Sequence, residues 1–228
     1  MSYQLREDLS CCEVDGHVVF LDLVQDRYFK LSSDNEATFR CFLTHRDLPD
    51  EQARKLRKLG ILIKGTSPRR NAAIPTIQRP SLSAFEQSIV ITESRLGIKV
   101  ILEIMAIIWS TQWQLKSRAL SVVIGDIASL RCSGPDLHGA AGATPSEDGL
   151  MSLATKFSHA RAYVPIEPSC LLDSLSLVRF LARRGLPASI VFGVTLVPFA
   201  AHCWVQAGEI VLNDTLSNAN AHTPIRVV

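Results

Sequence analysis

The sequence lacks an excess of either charge: 24 Lys and Arg face 22 Asp and Glu over 228 residues, a formal net charge of +2. A protein that grips nucleic acid through many phosphate contacts needs more cations than that, so no nucleic-acid partner is expected and any basic surface must be local. The opening MSYQLREDLSCCEV has neither a long apolar core nor a small-residue cleavage site. It does not read as a secretory signal, and the expected compartment is the cytoplasm. Long apolar runs are missing too. The best membrane suspect, IKVILEIMAIIW from Ile98 to Trp109, is broken by Lys99 and Glu103 and is shorter than the roughly 20 residues a span requires. A buried helix is expected there, with no membrane partner.

Among the six cysteines, Cys11, Cys12, Cys41, Cys132, Cys170 and Cys203, there is no C-x-x-C or other zinc spacing. In a reducing compartment such residues default to small buried hydrophobes. The sequence also lacks G-x-x-x-x-G-K-[ST], which disfavours a nucleotide cradle, and it has no internal repeat. No cofactor or metal is expected to bind this chain.

What is present is a folded chain, 47% hydrophobic, of expected α+β class in two domains. His17 to Leu23 and Arg27 to Leu31 read as strands around a turn at Gln25 and Asp26. A helix capped by Ser33 or Asp34 follows to about Leu43, with Ala37, Phe39, Cys41 and Phe42 as its apolar face, and a second runs from Pro49–Asp50 to Leu59, ended by Gly60. Residues 65–83, GTSPRRNAAIPTIQRPSLS, contain three prolines and three arginines without helical or strand period and read as the linker between a domain 1–64 and a domain 84–228. From 84 to 130 two or three apolar helices are expected, then a loop from Arg131 to Gly149 that carries Cys132.

The last third carries chemistry. Leu171, Leu172, Leu175, Val178 and Leu181 have helical spacing, and Gly185 and Pro187 follow, so a helix begins at Cys170. A thiol in a first helical turn lies beside unpaired N–H groups and the positive end of the helix dipole, which favour the reactive thiolate. Ala188 to Thr195 and Ala201 to Gln206 read as strands, the second with His202, Trp204 and Gln206 on one face and Cys203 on the other, in the core. Ile210 to Asn213 returns as a third strand, closed by Asp214. A three-residue loop sets His202 opposite Asp214 and a two-residue loop sets it opposite Asn213, since register decides the facing residue. Either could orient the imidazole. The set Cys170, His202 and Asp214 lies within 45 residues and supplies a nucleophile, a base and an orienter for acyl chemistry. The backbone N–H of Cys170 is the expected oxyanion donor.

The order of a cysteine at a helix start, a histidine on a strand and an aspartate after the next resembles the transglutaminase-like, papain-related fold. PSCLLDSLSLVRFLARRGLPASIVFGV followed by HCWVQAGEIVLND is similar to the leader peptidases, or B proteins, of lasso-peptide biosynthesis, over about 84–228. The first 64 to 80 residues resemble the winged-helix leader-recognition domain related to the PqqD proteins. The resemblance implies a thiol peptidase that cuts a ribosomally made precursor between leader and core. It further implies as partner an asparagine-synthetase-like cyclase, which supplies any ATP-dependent step. The leader would add to the edge at Arg27 to Leu31, making Tyr28, Phe29 and Leu31 contacts, and Arg54, Lys55, Arg57 and Lys58 could meet acidic leader residues. Two alternatives stay open: an acyltransferase using the same three residues, told apart by an amide product, and a non-catalytic leader-binding chaperone, indifferent to loss of Cys170.

Overall fold

The computed structural model describes residues 3–45, 48–65, 77–87, 97–132 and 147–228. The chain divides into two compact units, 1–76 with Thr223–Arg226 and 77–222 with Val227–Val228.

In the first unit β1 (Tyr3–Leu5) pairs antiparallel with β5 (Leu62–Lys64), while β2 (Leu9–Val14), β3 (His17–Asp22) and β4 (Arg27–Lys30) form a meander in that order. Asp15 and Gly16 join β2 to β3 with φ of 49° and 77°. Left-handed backbone at both loop residues is what a tight hairpin with the correct twist demands, and Asp-Gly supplies it at little steric cost. Helices α1 (Ser33–His45) and α2 (Asp50–Lys58) cover the strands. Phe20, Phe39, Phe42, Leu56 and Ile61 are fully buried in their core, each contributing about 1.5–3 kcal/mol by removal from water. Glu36 ties α1 to β3 by accepting from the Val18 N–H at 3.1 Å. Gly60, at φ 71°, takes the chain out of α2.

Two expectations need correction here. Ala37 and Cys41 are exposed, so the apolar face of α1 rests on Phe39 and Phe42. Strands β1, β2 and β5 did not stand out in the sequence, because β2 buries four residues in succession and so shows no alternation.

The second unit contains sheet strands in the order β7-β8-β9-β6, made from β6 (Leu82–Ser83), β7 (Ser189–Leu196), β8 (Phe199–Ala207) and β9 (Ile210–Val211). Leu82 and Ser83 run parallel to Ile210 and Val211, so this end of the expected linker is part of the sheet. Its other helices are α3 (Ala84–Gln87), α4 (Ile98–Ser117), α5 (Leu120–Cys132), α6 (Glu147–Arg161), α7 (Cys170–Ala182) and α8 (Leu216–Ala221). Cys132 thus ends a helix, and α6 begins within the expected loop; residues 133–146 lie outside the described ones.

Helix α7 is the hub of this unit. Its residues Leu172, Leu175, Leu177, Val178, Phe180 and Leu181 are buried, and arginines fix it to α4. Arg179 donates to Thr111 Oγ1 at 2.9 Å and Gln114 Oε1 at 2.6 Å, and Arg184 forks onto Glu103 at 3.1 and 2.7 Å. Such planar, two-pronged contacts fix direction as well as distance. Helix α4 is only half-buried. Ile104, Ile107, Ile108 and Thr111 face inward, whereas Ile98, Leu102, Trp109 and Trp113 are exposed. Its apolar run is therefore an amphipathic helix rather than a buried one, and no described helix is long and apolar enough to cross a membrane.

Candidate active site

Ser169 is the N-cap of α7: its side chain accepts from the Leu172 N–H at 3.3 Å, which leaves Cys170 as the first helical residue. The approach to that cap is held by Arg161. Its guanidinium donates to Asp173 Oδ1 at 2.6 Å and to the carbonyls of Val164 and Ile166 at 3.3 and 2.9 Å. Burial raises the Asp173 carboxyl from its ordinary value, against the opposing pull of Arg161.

Cys170 is exposed, and three groups act on its sulfur: the Cys203 thiol, which also donates to Ser174 Oγ at 3.9 Å, the His202 ring and the Cys203 backbone. Those groups bring its pKa down to about 4, with the Cys203 thiol the largest influence, His202 next and burial opposing them. His202 donates from Nε2 to Asp214 Oδ2 at 2.6 Å, which leaves Nδ1 for Cys170. Asp214 first, and Cys170 second, raise the imidazole to about 9. At neutral pH the two groups are therefore an ion pair, thiolate and imidazolium.

The register differs from both expectations. Gln206 faces Val211 and Ala207 faces Ile210, so the loop is Gly208–Glu209, and the alignment lies one residue beyond that of the expected three-residue loop and two beyond that of the expected two-residue loop. Gly208, at φ 57°, gives the left-handed first loop residue that such a turn requires. Strand β9 then ends at Val211, and Asp214 reaches the imidazole from the bend that follows rather than from directly across a ladder. Asn213 is occupied elsewhere. It accepts from the Val205 N–H at 2.7 Å and donates to Ser174 Oγ at 3.0 Å.

Several residues join the site that the sequence did not mark. Asn218 donates to Asp214 Oδ2 at 2.9 Å, the same oxygen that holds His202, while the Thr215 N–H donates to Oδ1 at 2.8 Å and Ser83 Oγ to the Asp214 carbonyl at 2.6 Å. The carboxylate is thus fixed by donors on every side, as a group that must orient an imidazole needs to be. His222 donates from Nδ1 to the Asn218 carbonyl at 2.9 Å, and its ring centre lies 5.3 Å from that of His202. Trp204 lies 6.2 Å from the His202 ring, near parallel. Gly193 stands opposite His202, and a Cβ there would come within 2.7 Å of the Trp204 ring and 2.8 Å of His222 Cβ. Its missing side chain is what lets the two rings close on the imidazole.

Trp204 and Gln206 share a face as expected, the indole donating to Gln206 Oε1 at 3.1 Å. Cys203 is buried, as expected of a core residue, yet its thiol also meets Cys170, and its pKa is pushed well above the ordinary thiol value by that contact and by burial. A cysteine directly after His202 would have carried that signal only with the register known.

The leader-site candidates lie in the first unit. Phe29 and Leu31 pack on its core, Phe29 stacked at 5.2 Å on Phe20, and Tyr28 is half-buried. Arg54, Lys55, Arg57 and Lys58 are exposed on α2. Among the described residues no group of three His, Cys, Asp or Glu side chains could hold a metal ion.

Comparison with known proteins places this geometry in context. The model of the transglutaminase-like superfamily matches residues 111–227. The microcin J25-processing protein McjB of Escherichia coli is 44% identical over 45 residues, 20% of this chain and 22% of that protein. The match thus spans about a fifth of the length of this curated relative. No solved structure matches the chain.

Proposed function

Given that this chain belongs to the transglutaminase-like superfamily, we propose that it is a cysteine peptidase of lasso-peptide maturation, cutting the amide between leader and core of a precursor. The observation that carries the reading is a cysteine at the start of α7 whose thiol His202 stabilises as the thiolate, with His202 itself hydrogen-bonded to Asp214 at 2.6 Å. The partial likeness to a microcin-processing protein supports the substrate class.

The Cys170 thiolate attacks the leader carbonyl carbon, forming the C–S bond, and the backbone N–H of Cys170 faces the oxyanion. The imidazolium of His202 gives its proton to the leaving α-amine as the C–N bond breaks, so the core departs with a free amino terminus. Neutral His202 then takes a proton from water, which attacks the thioester; the leader leaves as a carboxylate and the thiolate is restored. Asp214 keeps the ring in one tautomer throughout.

The first unit serves as a PqqD-like leader-recognition domain on this reading. Strand β4 is an outer strand of its meander, which supports addition of the leader along Tyr28, Phe29 and Leu31, with Arg54, Arg57 and Lys58 offering exposed positive charge to acidic leader residues. The freed amine is the nucleophile that a separate ATP-dependent, asparagine-synthetase-like cyclase joins to an acidic side chain. This chain contributes hydrolysis and holds no cofactor.

Mass spectrometry of the precursor peptide encoded beside the gene tests the proposal, after incubation with the parent protein and with Cys170→Ala. The expected result is one cut, a free carboxylate on the leader, and no cut by the variant. Cleavage that survives Cys170→Ala would overturn it. A new amide on the leader would mark an acyltransferase, and tight binding without cleavage a chaperone.

A further inference from the structure

The outer edge of β8 beside Cys170 has a regular polarity. Ile190 exchanges both main-chain hydrogen bonds with Val228 at 2.9 Å, away from β8. Its partner Val205 likewise turns away from β7, accepting from the Leu212 N–H at 2.9 Å and donating to Asn213 Oδ1 at 2.7 Å. In an antiparallel ladder such outward positions recur at every second residue, so Cys203 and Ala201 point the same way.

Cys203 obeys the rule, its carbonyl accepting from Ser174 Oγ at 3.3 Å and its N–H meeting the Cys170 sulfur. The next outward position is Ala201, which is exposed, because β9 pairs no further along β8 than Gln206. Among the described residues, no group meets the outer N–H and C=O of Ala201.

Beyond it the hairpin projects. Phe199, Ala200 and Ala201 are all exposed although their side chains alternate along the strand. At the turn Val197 is 88% exposed and Phe199 53%, and Thr195 Oγ1 holds the turn by donating to the Pro198 carbonyl at 2.9 Å. Apolar side chains shown at the end of a strand that carries the catalytic base are continuous with the site. Two residues along a strand span about 6.8 Å, so a peptide paired at Ala201 brings its neighbouring peptide group to the Cys170 sulfur.

We infer that this hairpin end is a specificity lip: Ala201 pairs through its main chain with an extended stretch of the substrate, and Val197 and Phe199 receive an apolar side chain about four residues from the cut bond. The inference rests on the peptidase reading and names the kind of segment that site takes. Main-chain pairing gives a hold that any extended peptide can use, and the exposed lip adds the selection.

The test uses the precursor peptide with each of the residues flanking the cut replaced in turn by Asp, assayed with the parent protein and with Val197→Lys and Phe199→Lys. The parent is expected to penalise Asp at one position by a rise in KM of about tenfold, with kcat held within about twofold. The lysine variants should remove that penalty at the same position. Amide hydrogen exchange in Cys170→Ala protein supplies the second arm: precursor binding should slow exchange at Ala201 by about tenfold or more and leave Ala200, paired with β7, unchanged. If the parent cuts while the lysine variants keep its preferences and Ala201 exchange is unaltered, the lip is refuted and the peptidase reading stands. If the parent cuts no precursor, both fall.

Discussion

Among the described residues two pairs of neighbouring thiols, one in each unit, have opposite chemistry. Cys11 and Cys12 lie buried in β2; burial raises them to about 11 and about 12, with the neighbouring sulfur adding to the second. Cys170 and Cys203 interact as well, but there one sulfur falls to about 4 while the other rises. Proximity of two sulfurs therefore decides nothing. What separates the pairs is a supply of donors: the second pair has a helix start, a backbone N–H and an imidazole held by Asp214, whereas the first lies in the β2–β3 ladder with Cys11 packed in the apolar core. A thiolate forms where its charge is met by fixed N–H groups, and it is suppressed where it is merely buried.

The sharpest way to break this contrast is to remove the nucleophile or its base. Cys170→Ala or His202→Ala should lower kcat/KM for precursor cleavage by about 10⁴-fold or more, whereas Cys11→Ala or Cys12→Ala should leave it within about twofold. Unfolding by denaturant should show the reverse ordering, with the β2 cysteines costing about 1–2 kcal/mol through lost packing.

Loss of the orienter comes next. Asp214→Ala should lower kcat by about 10²–10⁴-fold with little change in KM, since it acts on tautomer and ring position rather than on binding. Asn213→Ala should spare the chemistry more and act through stability, because Asn213 braces Val205 and Ser174.

A pH profile of kcat/KM should be flat-topped between the two limits of the ion pair. Activity falls on the acid side as Cys170 takes up a proton near pH 4, and on the alkaline side as His202 loses one near pH 9. Cys203→Ala sharpens the comparison, because it removes the largest influence on Cys170. The acid limb should move upward and remain below the ordinary thiol value, His202 still being present.

The smallest effect is expected at Asn218. Asn218→Ala should lower kcat about tenfold by freeing Asp214, and Asn218→Asp, which keeps the shape without the donor, should recover toward acid pH as the two carboxyls share a proton.

Much of the site was legible because its parts obey local rules. The helix start at Cys170, the apolar spacing down α7 and the strand carrying His202 follow from periodicity alone. The register was not, since it turned on whether Ala207 belongs to the loop or to the ladder. Asn218 and His222 were hidden for a related reason: they sit on a six-residue helix, Leu216–Ala221, or just past it, too short to show a period. Their roles come from the fold around Asp214. In the first unit the missed strand β2 has buried residues on both faces, and Asp15-Gly16 was the one local signal that announced it. Helix α4 was read from apolar content alone, which cannot tell an inward face from an outward one.

The most direct test of the central claim is the rate of Cys170 alkylation by iodoacetamide as a function of pH, followed by mass spectrometry in the parent protein and in His202→Ala. A preformed ion pair predicts brisk labelling of Cys170 at pH 5 to 6, with Cys11 and Cys12 unlabelled, and a marked upward shift of the profile in the variant. Labelling of Cys170 that rises only above about pH 8 and does not respond to His202 would contradict it.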